Sequence, residues 1–215
     1  MRKILTLIIA LLFIPLIVST ASADDAYVEG VNYQLIVPPQ PTANPDKVEV
    51  TEVFWYRCPH CFRFQPFIER WQKTMPDYVD YVRLPAILRP DWSYYAAAFY
   101  TAEALGVLDK THEPLFDAIH KQRRAKELDE EDNLMKFFAG FGVSNDDFRN
   151  TFHSFAVTSK VRRADLMTER YHIHGTPSIV VNGKYLIDPG MAQNDYATML
   201  KIVNFLIAKE HKDKG

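Results

Sequence analysis

The sequence contains only two cysteines among its 215 residues, Cys58 and Cys61, and both lie in one Cys-x-x-Cys motif. This scarcity excludes a fold held together by several disulfides, and it confines any thiol chemistry to the motif. A second cysteine pair is missing, so a structural zinc site would need histidines to complete its ligands. Internal repeats and low-complexity segments are also missing, which excludes a repeat architecture.

An excess of positive charge is absent as well. The chain has 25 basic and 27 acidic side chains, so its composition gives no sign of a nucleic-acid partner. Hydrophobic residues make up 47% of the sequence, which is enough for a packed interior.

The one long apolar run stands at the start of the chain, where Arg2-Lys3 precede residues 4–18. This run is interrupted by Pro15 and is short for an uncleaved membrane anchor, which needs about 20 apolar residues. The small residues Ala21 and Ala23 form a cleavage signature, so we predict a signal peptide that is removed after Ala23. No cysteine lies near that boundary, which excludes a lipid-anchored form.

Cleavage would leave 192 residues, which suits one domain or a core fold with one insertion. Export implies an oxidising compartment, where disulfides persist. An exported chain with a single close cysteine pair is better suited to act on the disulfides of other proteins than to need its own.

The remaining chain divides into an α/β part and a helical part. Strand patterns are followed by a helical block and then by Asn182-Gly183, the strongest short signal for a β-hairpin. The predicted strands cover 33–37, 48–56 and 79–88, the helical block covers 91–171, and a last helix covers 196–208.

Three interpretations of the cysteine motif compete: a structural disulfide, half of a metal site and a redox dithiol. A bridge over so short a loop would restrict the unfolded chain by only ~2 kcal/mol, against ~4.7 kcal/mol for a loop of about 100 residues. The strand pattern before the motif and the helical pattern after it favour the redox dithiol.

The chemistry of such a dithiol depends on how well the fold stabilises a thiolate. Pro59 suits the first turn of a helix, which would place Cys58 at the positive end of the helix dipole. His60 would donate a hydrogen bond or a positive charge to the Cys58 sulfur, and Arg57 would add a further cation. We therefore predict a depressed pKa for Cys58, an oxidising disulfide, and a resolving role for the less exposed Cys61.

Three segments, together with the signal peptide, resemble the DsbA family of periplasmic thiol:disulfide oxidants. They are FWYRCPHCFRF at 54–64, ALGVLDKTHEPLFDAIHKQ at 104–122 and GTPSIVVNGKY at 175–185. The resemblance covers essentially the whole mature chain and implies a thioredoxin-like α/β fold with an all-helical insertion. It implies that 24–90 and 172–215 form the thioredoxin-like domain and that 91–171 form the insertion.

The resemblance also implies roles for individual residues. Cys58 corresponds to the nucleophile that forms the mixed disulfide, and Cys61 to its resolving partner. Pro177 corresponds to the family's cis-proline, and Thr176 would offer its backbone to an extended substrate chain. The alternative for Pro177 is an ordinary turn proline.

Glu52 is a carboxylate on an otherwise apolar face of the second predicted strand. It matches the acid that thioredoxin-like folds place behind the dithiol, where burial would raise its pKa and let it exchange a proton with Cys61. The alternative is a strand-end carboxylate held by a salt bridge.

Two residues depart from the family pattern. Arg57 is unusual before the first cysteine, and Thr176 replaces the valine that the best-known member has before its cis-proline. His172 and His174 could in principle complete a zinc site with the cysteines, but a closed metal site would block the dithiol. We therefore expect no metal and no cofactor.

Three function classes follow: an oxidase, an isomerase or reductase on the same fold, and a binding or chaperone module. We favour an oxidase in the periplasm of a Gram-negative bacterium that donates its disulfide to reduced, unfolded exported proteins. By resemblance, a membrane quinone reductase of the DsbB type would reoxidise it, and we expect a monomer. Isomerases usually add a dimerisation domain, for which 192 residues leave no room.

Overall fold

The computed structural model describes residues 26–214, so the predicted signal peptide and its cleavage site lie outside the described residues. Five strands and eight α-helices follow one another in this part of the chain. They are β1 Gln34–Leu35, β2 Val48–Phe54, α1 Pro59–Gln72, β3 Val79–Pro85, α2 Ser93–Ala104, α3 Leu108–His120, α4 Ala125–Leu128, α5 Glu131–Ala139, α6 Asn145–Phe152, α7 Phe155–Arg170, β4 Ser178–Val181, β5 Tyr185–Ile187 and α8 Tyr196–Lys214.

The strands form one mixed sheet in the order β1-β5-β4-β2-β3. Only the β2–β3 pair is parallel, and the other three pairs are antiparallel. Every residue of β2 is buried, which agrees with its central place and its β-branched and aromatic composition. The predicted α/β fold is confirmed, although β1, β2 and β3 are all shorter than their sequence patterns suggested.

The β4–β5 hairpin forms at the predicted Asn182-Gly183 turn. Both residues have positive φ angles, 52° and 64°, and the Lys184 N–H donates to the Val181 carbonyl at 3.0 Å. These are the features of a type I′ turn, whose twist matches that of the strands. A Cβ atom at Gly183 would lie 2.1 Å from the Gln40 carbonyl oxygen, so this position requires glycine for two independent reasons.

The helical block between β3 and β4 contains the six helices α2–α7. Ser144 caps α6 by accepting a hydrogen bond from the Asp147 N–H at 3.0 Å, and Ser154 caps α7 in the same way through Val157. Each serine caps the start of a new helix, so the block folds as several short helices rather than one long helix.

Two apolar clusters lie on the two sides of the sheet. One joins the sheet to α2–α7 and includes both cysteines, and the other joins the sheet to α1 and α8. The helical block and the dithiol thus belong to the same hydrophobic core. Within residues 26–214, no helix combines the length and the apolar character that crossing a bilayer requires.

Candidate active site

The dithiol stands where β2 passes into α1. Cys58 is the N-cap residue of the helix, with an extended backbone, and Pro59 is the first helical residue as predicted. The Cys61 N–H points at the Cys58 sulfur at a distance of 3.4 Å. Cys58 is 7% exposed and Cys61 is fully buried, so only the first sulfur is within reach of a large partner.

This environment lowers the pKa of the Cys58 thiol to about 5. The largest cause is a hydrogen bond from the Cys61 thiol, followed by Thr176 and by the backbone N–H groups of Cys61 and His60, which together outweigh the cost of burial. The two backbone donors belong to the first helical turn, whose N–H groups have no partner within the helix. Cys58 is therefore a thiolate at neutral pH when the pair is reduced.

The second thiol has the opposite character. Burial raises the pKa of Cys61 well above its ordinary value, and the hydrogen bond to Cys58 and the negative charge on that sulfur raise it further. Cys61 therefore keeps its proton until a base removes it.

The loop before β4 packs against the first sulfur. The Thr176–Pro177 peptide bond is cis, and the Thr176 carbonyl oxygen lies 3.2 Å from the Cys58 sulfur. Thr176 is half-buried, and both residues line a groove that also contains His60. The structure therefore brings the predicted substrate-binding residues to the nucleophile.

Glu52 lies in β2 and is completely buried. Burial raises the pKa of its carboxyl group, although the charge of Arg83 and hydrogen bonds from Tyr81 and Gln65 work in the other direction. The Arg83 Nε atom lies 3.6 Å from the carboxylate. Glu52 thus has the raised pKa expected of an acid that exchanges a proton with Cys61. It also has the partner expected of a carboxylate held by a salt bridge.

Sequence reasoning missed the residues that hold Glu52. The Gln65 amide donates to the carboxylate at 2.9 Å, and Gln65 stands four positions after Cys61, on the same face of α1. The hydroxyl group of Tyr81 in β3 donates to the other carboxylate oxygen. The pairing register places Arg83 directly beside Glu52. The spacing of Gln65 was visible in the sequence, whereas the register of a parallel pair was not.

The side chains of His60 and Arg57 do not point at the Cys58 sulfur, contrary to the expectation from the sequence. The His60 ring lies 3.0 Å from the Arg63 guanidinium, and it is the backbone N–H of His60 that lowers the pKa of Cys58. The Arg57 guanidinium forms a 2.6 Å ion pair with Asp129, which follows α4 in the insertion. Its charge is therefore largely directed away from the sulfur.

All three residues before Cys58 are held by the helical insertion. Trp55 stacks on Trp92 with 3.9 Å between ring centroids, and Arg57 pairs with Asp129 as described. Tyr56 makes two contacts with α3: its hydroxyl group bonds to His112 at 2.8 Å, and its carbonyl oxygen accepts from His120 at 2.7 Å. Contacts with the insertion thus fix the segment of the chain that leads into Cys58.

The two histidines nearest the cis-proline are exposed and lie in the turn after α7. His172 and His174 line the same groove as Thr176 and Pro177. Among the described residues, no group of three or more histidine, cysteine or acidic side chains is arranged to hold a metal ion.

A mixed sheet, a helix that begins at a Cys-x-x-Cys motif and a cis-proline beside the first sulfur define a thioredoxin-like dithiol oxidoreductase. Comparison with known proteins agrees with this class. A model of the DSBA-like thioredoxin domain matches residues 77–201. The thiol:disulfide interchange protein DsbA of Pseudomonas aeruginosa is 40% identical over 190 residues, which are 88% of each chain. DsbA of Burkholderia cepacia is 35% identical over 216 residues, covering 100% of this chain and 99% of that protein.

Solved structures give the same result. The crystal structure of Pseudomonas aeruginosa DsbA has a TM-score of 0.81 and 39% identity over 89% of this chain and 97% of that one. DsbA from Xylella fastidiosa has a TM-score of 0.77 and 31% identity over 84% and 96%. The chain belongs to the DsbA family and is a thiol:disulfide oxidoreductase, and the role that this membership supports is that of a periplasmic dithiol oxidase.

Proposed function

We propose that the Cys58–Cys61 pair works as a disulfide donor, passing its bond to pairs of thiols in newly exported proteins. The observation that carries this direction is the opposite shift of the two cysteine pKa values. A thiolate stabilised in the reduced form makes reduction favourable, so the disulfide is a strong oxidant.

The reaction has two exchange steps. A substrate thiolate attacks the Cys58 sulfur, the Cys58–Cys61 bond breaks, and the Cys61 sulfur leaves and takes up a proton. A second substrate thiolate then attacks the substrate sulfur of the mixed disulfide and releases Cys58 as a thiolate. The substrate loses two electrons and gains a disulfide, and the enzyme gains two electrons. The low pKa of Cys58 makes it a good leaving group in the second step.

Glu52 is proposed to give this proton to Cys61 and to take it back when the enzyme is reoxidised. Its raised pKa and full burial support the role, because a buried acid with a raised pKa can hold a proton near neutral pH. Gln65 and Tyr81 act as positioning residues that fix the carboxylate. Tyr81 is partly exposed and joins the buried acid to the surface.

Thr176 and Pro177 are proposed to bind the substrate as an extended chain, with main-chain pairing that accepts many sequences. Pro59 starts the helix, and His60 contributes through its backbone N–H group. Arg57 is proposed to hold the active-site turn against the insertion.

Membership of the family also supports a proposal for where the protein works and how it is reoxidised. We propose that the protein works in the periplasm after cleavage behind Ala23, as a monomer that a membrane quinone reductase of the DsbB type reoxidises. We further propose that 24–90 with 172–215 form the thioredoxin-like unit and that 91–171 form an insertion within it.

A single-turnover experiment tests the proposal. The mature oxidised protein is mixed with a reduced peptide that contains two cysteines, and the enzyme's tryptophan fluorescence and the mass of the peptide are followed. We expect one peptide disulfide for each enzyme dithiol formed. A peptide that stays reduced beside an enzyme that stays oxidised would contradict a donor role.

A further inference from the structure

The peptide group between His60 and Cys61 takes part in two hydrogen bonds outside the helix ladder. Its N–H group, which belongs to Cys61, points at the Cys58 sulfur at 3.4 Å. Its carbonyl oxygen, which belongs to His60, accepts a hydrogen bond from the Tyr196 hydroxyl group at 3.1 Å. A single planar unit therefore connects a phenol of the last helix to the nucleophilic sulfur, in the order O–H, C=O, N–H, sulfur.

Tyr196 is held in this position from two directions. It is the first residue of α8, and the preceding Asp195 carboxylate accepts a hydrogen bond from the Thr198 N–H at 2.9 Å, which fixes the first turn of the helix. The Tyr196 ring packs against Phe64 and Phe67 of α1, with 5.1 Å and 5.4 Å between ring centroids. The hydroxyl group is thus aimed at α1 by a fixed ring rather than by a mobile side chain.

The Tyr196 hydroxyl group keeps its proton at neutral pH. Burial raises the pKa of Tyr196, the negative charges on Cys61 and Cys58 raise it further, and the nearby guanidinium of Arg63 works in the other direction. Because the pKa is raised above its ordinary value, the phenol is a hydrogen-bond donor throughout the range in which Cys58 reacts.

A hydrogen bond to a carbonyl oxygen makes the N–H of the same peptide group a stronger donor. Linked hydrogen bonds polarise one another and are strengthened by roughly 10–30% per bond. A carbonyl oxygen has two lone pairs, so the His60 oxygen can accept the phenol in addition to the bond that the helix supplies. The Cys61 N–H that benefits is one of the groups that stabilise the Cys58 thiolate. In the oxidised pair that sulfur has no charge, so the benefit falls mainly on the reduced form.

We propose that Tyr196 is a positioning residue for disulfide exchange, whose hydroxyl group strengthens the hydrogen bond from the Cys61 N–H to the Cys58 thiolate and so makes the disulfide more oxidising. The proposal rests on the proposed function and deepens it, because a better stabilised thiolate favours release of the disulfide to a substrate. Tyr196 acts through the peptide group and takes no part in the transfer of electrons or protons.

Removing the hydroxyl group tests the proposal. Tyr196→Phe keeps the ring that packs against α1. The pKa of Cys58 is measured by thiolate absorbance, and the equilibrium constant between the disulfide and reduced glutathione is measured at pH 7. We expect the pKa to rise from its value of about 5 by about half a unit and the equilibrium constant for reduction to fall about threefold. The two changes should agree, since both express the same loss of thiolate stabilisation.

A stronger donor should have the opposite effect. Site-specific incorporation of 3-fluorotyrosine at position 196 makes the phenol more acidic and hardly changes its shape, so the pKa of Cys58 should fall and the equilibrium constant should rise. Tyr94→Phe is the matched control, because the Tyr94 hydroxyl group donates to the Leu128 carbonyl oxygen at 3.2 Å, away from the dithiol. This control should leave both quantities at their wild-type values.

The amide proton of Cys61 reports on the peptide group directly. In the reduced protein at pH 7, its NMR resonance should move upfield in Tyr196→Phe and downfield in the fluorinated variant, in step with the pKa of Cys58. A role of Tyr196 in stability alone would not move this resonance in two directions.

Three results would overturn the role of Tyr196: a pKa of Cys58 that Tyr196→Phe leaves unchanged, an equal shift in Tyr94→Phe, or a changed equilibrium constant with an unmoved Cys61 resonance. If the wild type itself fails to oxidise a peptide with two thiols, the donor function fails. The pKa and the amide resonance are measured without any substrate, so they separate failure of this inference from failure of the proposed function.

Discussion

The two cysteines lie three positions apart, yet their surroundings are opposite. At the mouth of the site, Cys58 accepts a hydrogen bond from the Cys61 thiol and faces N–H groups of the first helical turn and the Thr176 loop, and its pKa falls to about 5. In the interior, Cys61 is fully buried beside a negative sulfur, and its pKa rises. A single helical turn therefore separates a leaving group from a thiol that needs a base.

Two buried carboxylates, Glu52 and Glu210, also differ in the direction of their pKa shifts. Glu52 and Glu210 are 0% and 1% exposed, but burial raises the pKa of Glu52, whereas the pKa of Glu210 is lowered. Hydrogen bonds from Lys184 and Asn182 outweigh the burial of Glu210, and the Lys184 ammonium lies only 2.7 Å away. Burial alone therefore does not make a proton donor, and of these two carboxylates Glu52 is the one suited to hold a proton.

The largest expected effect comes from removing either sulfur. Cys58→Ala should abolish exchange, because the remaining thiol is buried and protonated. Cys61→Ser should leave the nucleophile in place, so that mixed disulfides with substrates accumulate. Non-reducing electrophoresis after mixing with an oxidised model substrate distinguishes the two variants. Adducts that form with Cys58→Ala would show that the assigned order of the sulfurs is reversed.

Replacing the acid behind the dithiol should have the next largest effect. Glu52→Gln should slow the attack of Cys61 on a mixed disulfide about 100-fold, because the base that takes its proton is lost. Rapid-quench kinetics from pH 4 to 9 should also lose the inflection of the Glu52 carboxyl group.

Glu210→Gln is the matched control for Glu52→Gln. This variant should lower the free energy of unfolding by about 2 kcal/mol, because a buried, charge-assisted network is broken. Its exchange kinetics should equal those of the wild type. An equal loss of exchange rate in both variants would attribute the effect of Glu52 to stability rather than to proton transfer.

The low pKa of Cys58 should also make stability depend on pH in the reduced form. Between pH 5 and about 9 the unfolded chain keeps the Cys58 proton that the folded protein has lost, so the reduced protein gains stability as pH rises. The slope should approach about 1.4 kcal/mol per pH unit, and this gain is lost as pH falls through 5. Above pH 9 the raised pKa of Cys61 acts in the opposite direction.

The comparison of the reduced and oxidised proteins isolates this effect. Their difference in unfolding free energy, measured in urea from pH 4 to 9, should widen as pH rises, since the oxidised form has no thiol to titrate. A constant difference across this range would mean that the Cys58 thiolate is not stabilised by the fold.

The smallest effects are expected at His60 and Arg57, whose side chains contact Arg63 and Asp129 rather than the Cys58 sulfur. His60→Ala keeps the backbone N–H that faces Cys58, so the pKa of Cys58 should rise by less than about one unit. Arg57→Gln should cost at most about 1 kcal/mol of stability, because the ion pair with Asp129 is partly exposed. Thiolate absorbance and urea unfolding measure the two changes. A rise of two units in His60→Ala would show that its ring acts on the sulfur.

Much of this architecture could be predicted from local signals. The Asn182-Gly183 hairpin and the helix that starts at Pro59 depend on nearest neighbours along the chain, and both were found as expected. The catalytic motif was equally visible, because it holds the only cysteines.

The remaining features depend on pairing between distant segments. The register of β2 with β3 sets Arg83 beside Glu52, and no local pattern fixes that register. The direction of the Arg57 side chain depends on Asp129, 72 positions further along the chain. Helix propensity places His60 near the sulfur but does not decide which way its ring points.

The equilibrium constant between the Cys58–Cys61 pair and glutathione tests the central claim most directly. If the fold favours the Cys58 thiolate, the mature protein should release its disulfide to reduced glutathione readily and stand mostly as the dithiol in an equimolar mixture of oxidised and reduced glutathione. A protein that remains a disulfide in that mixture would contradict the account.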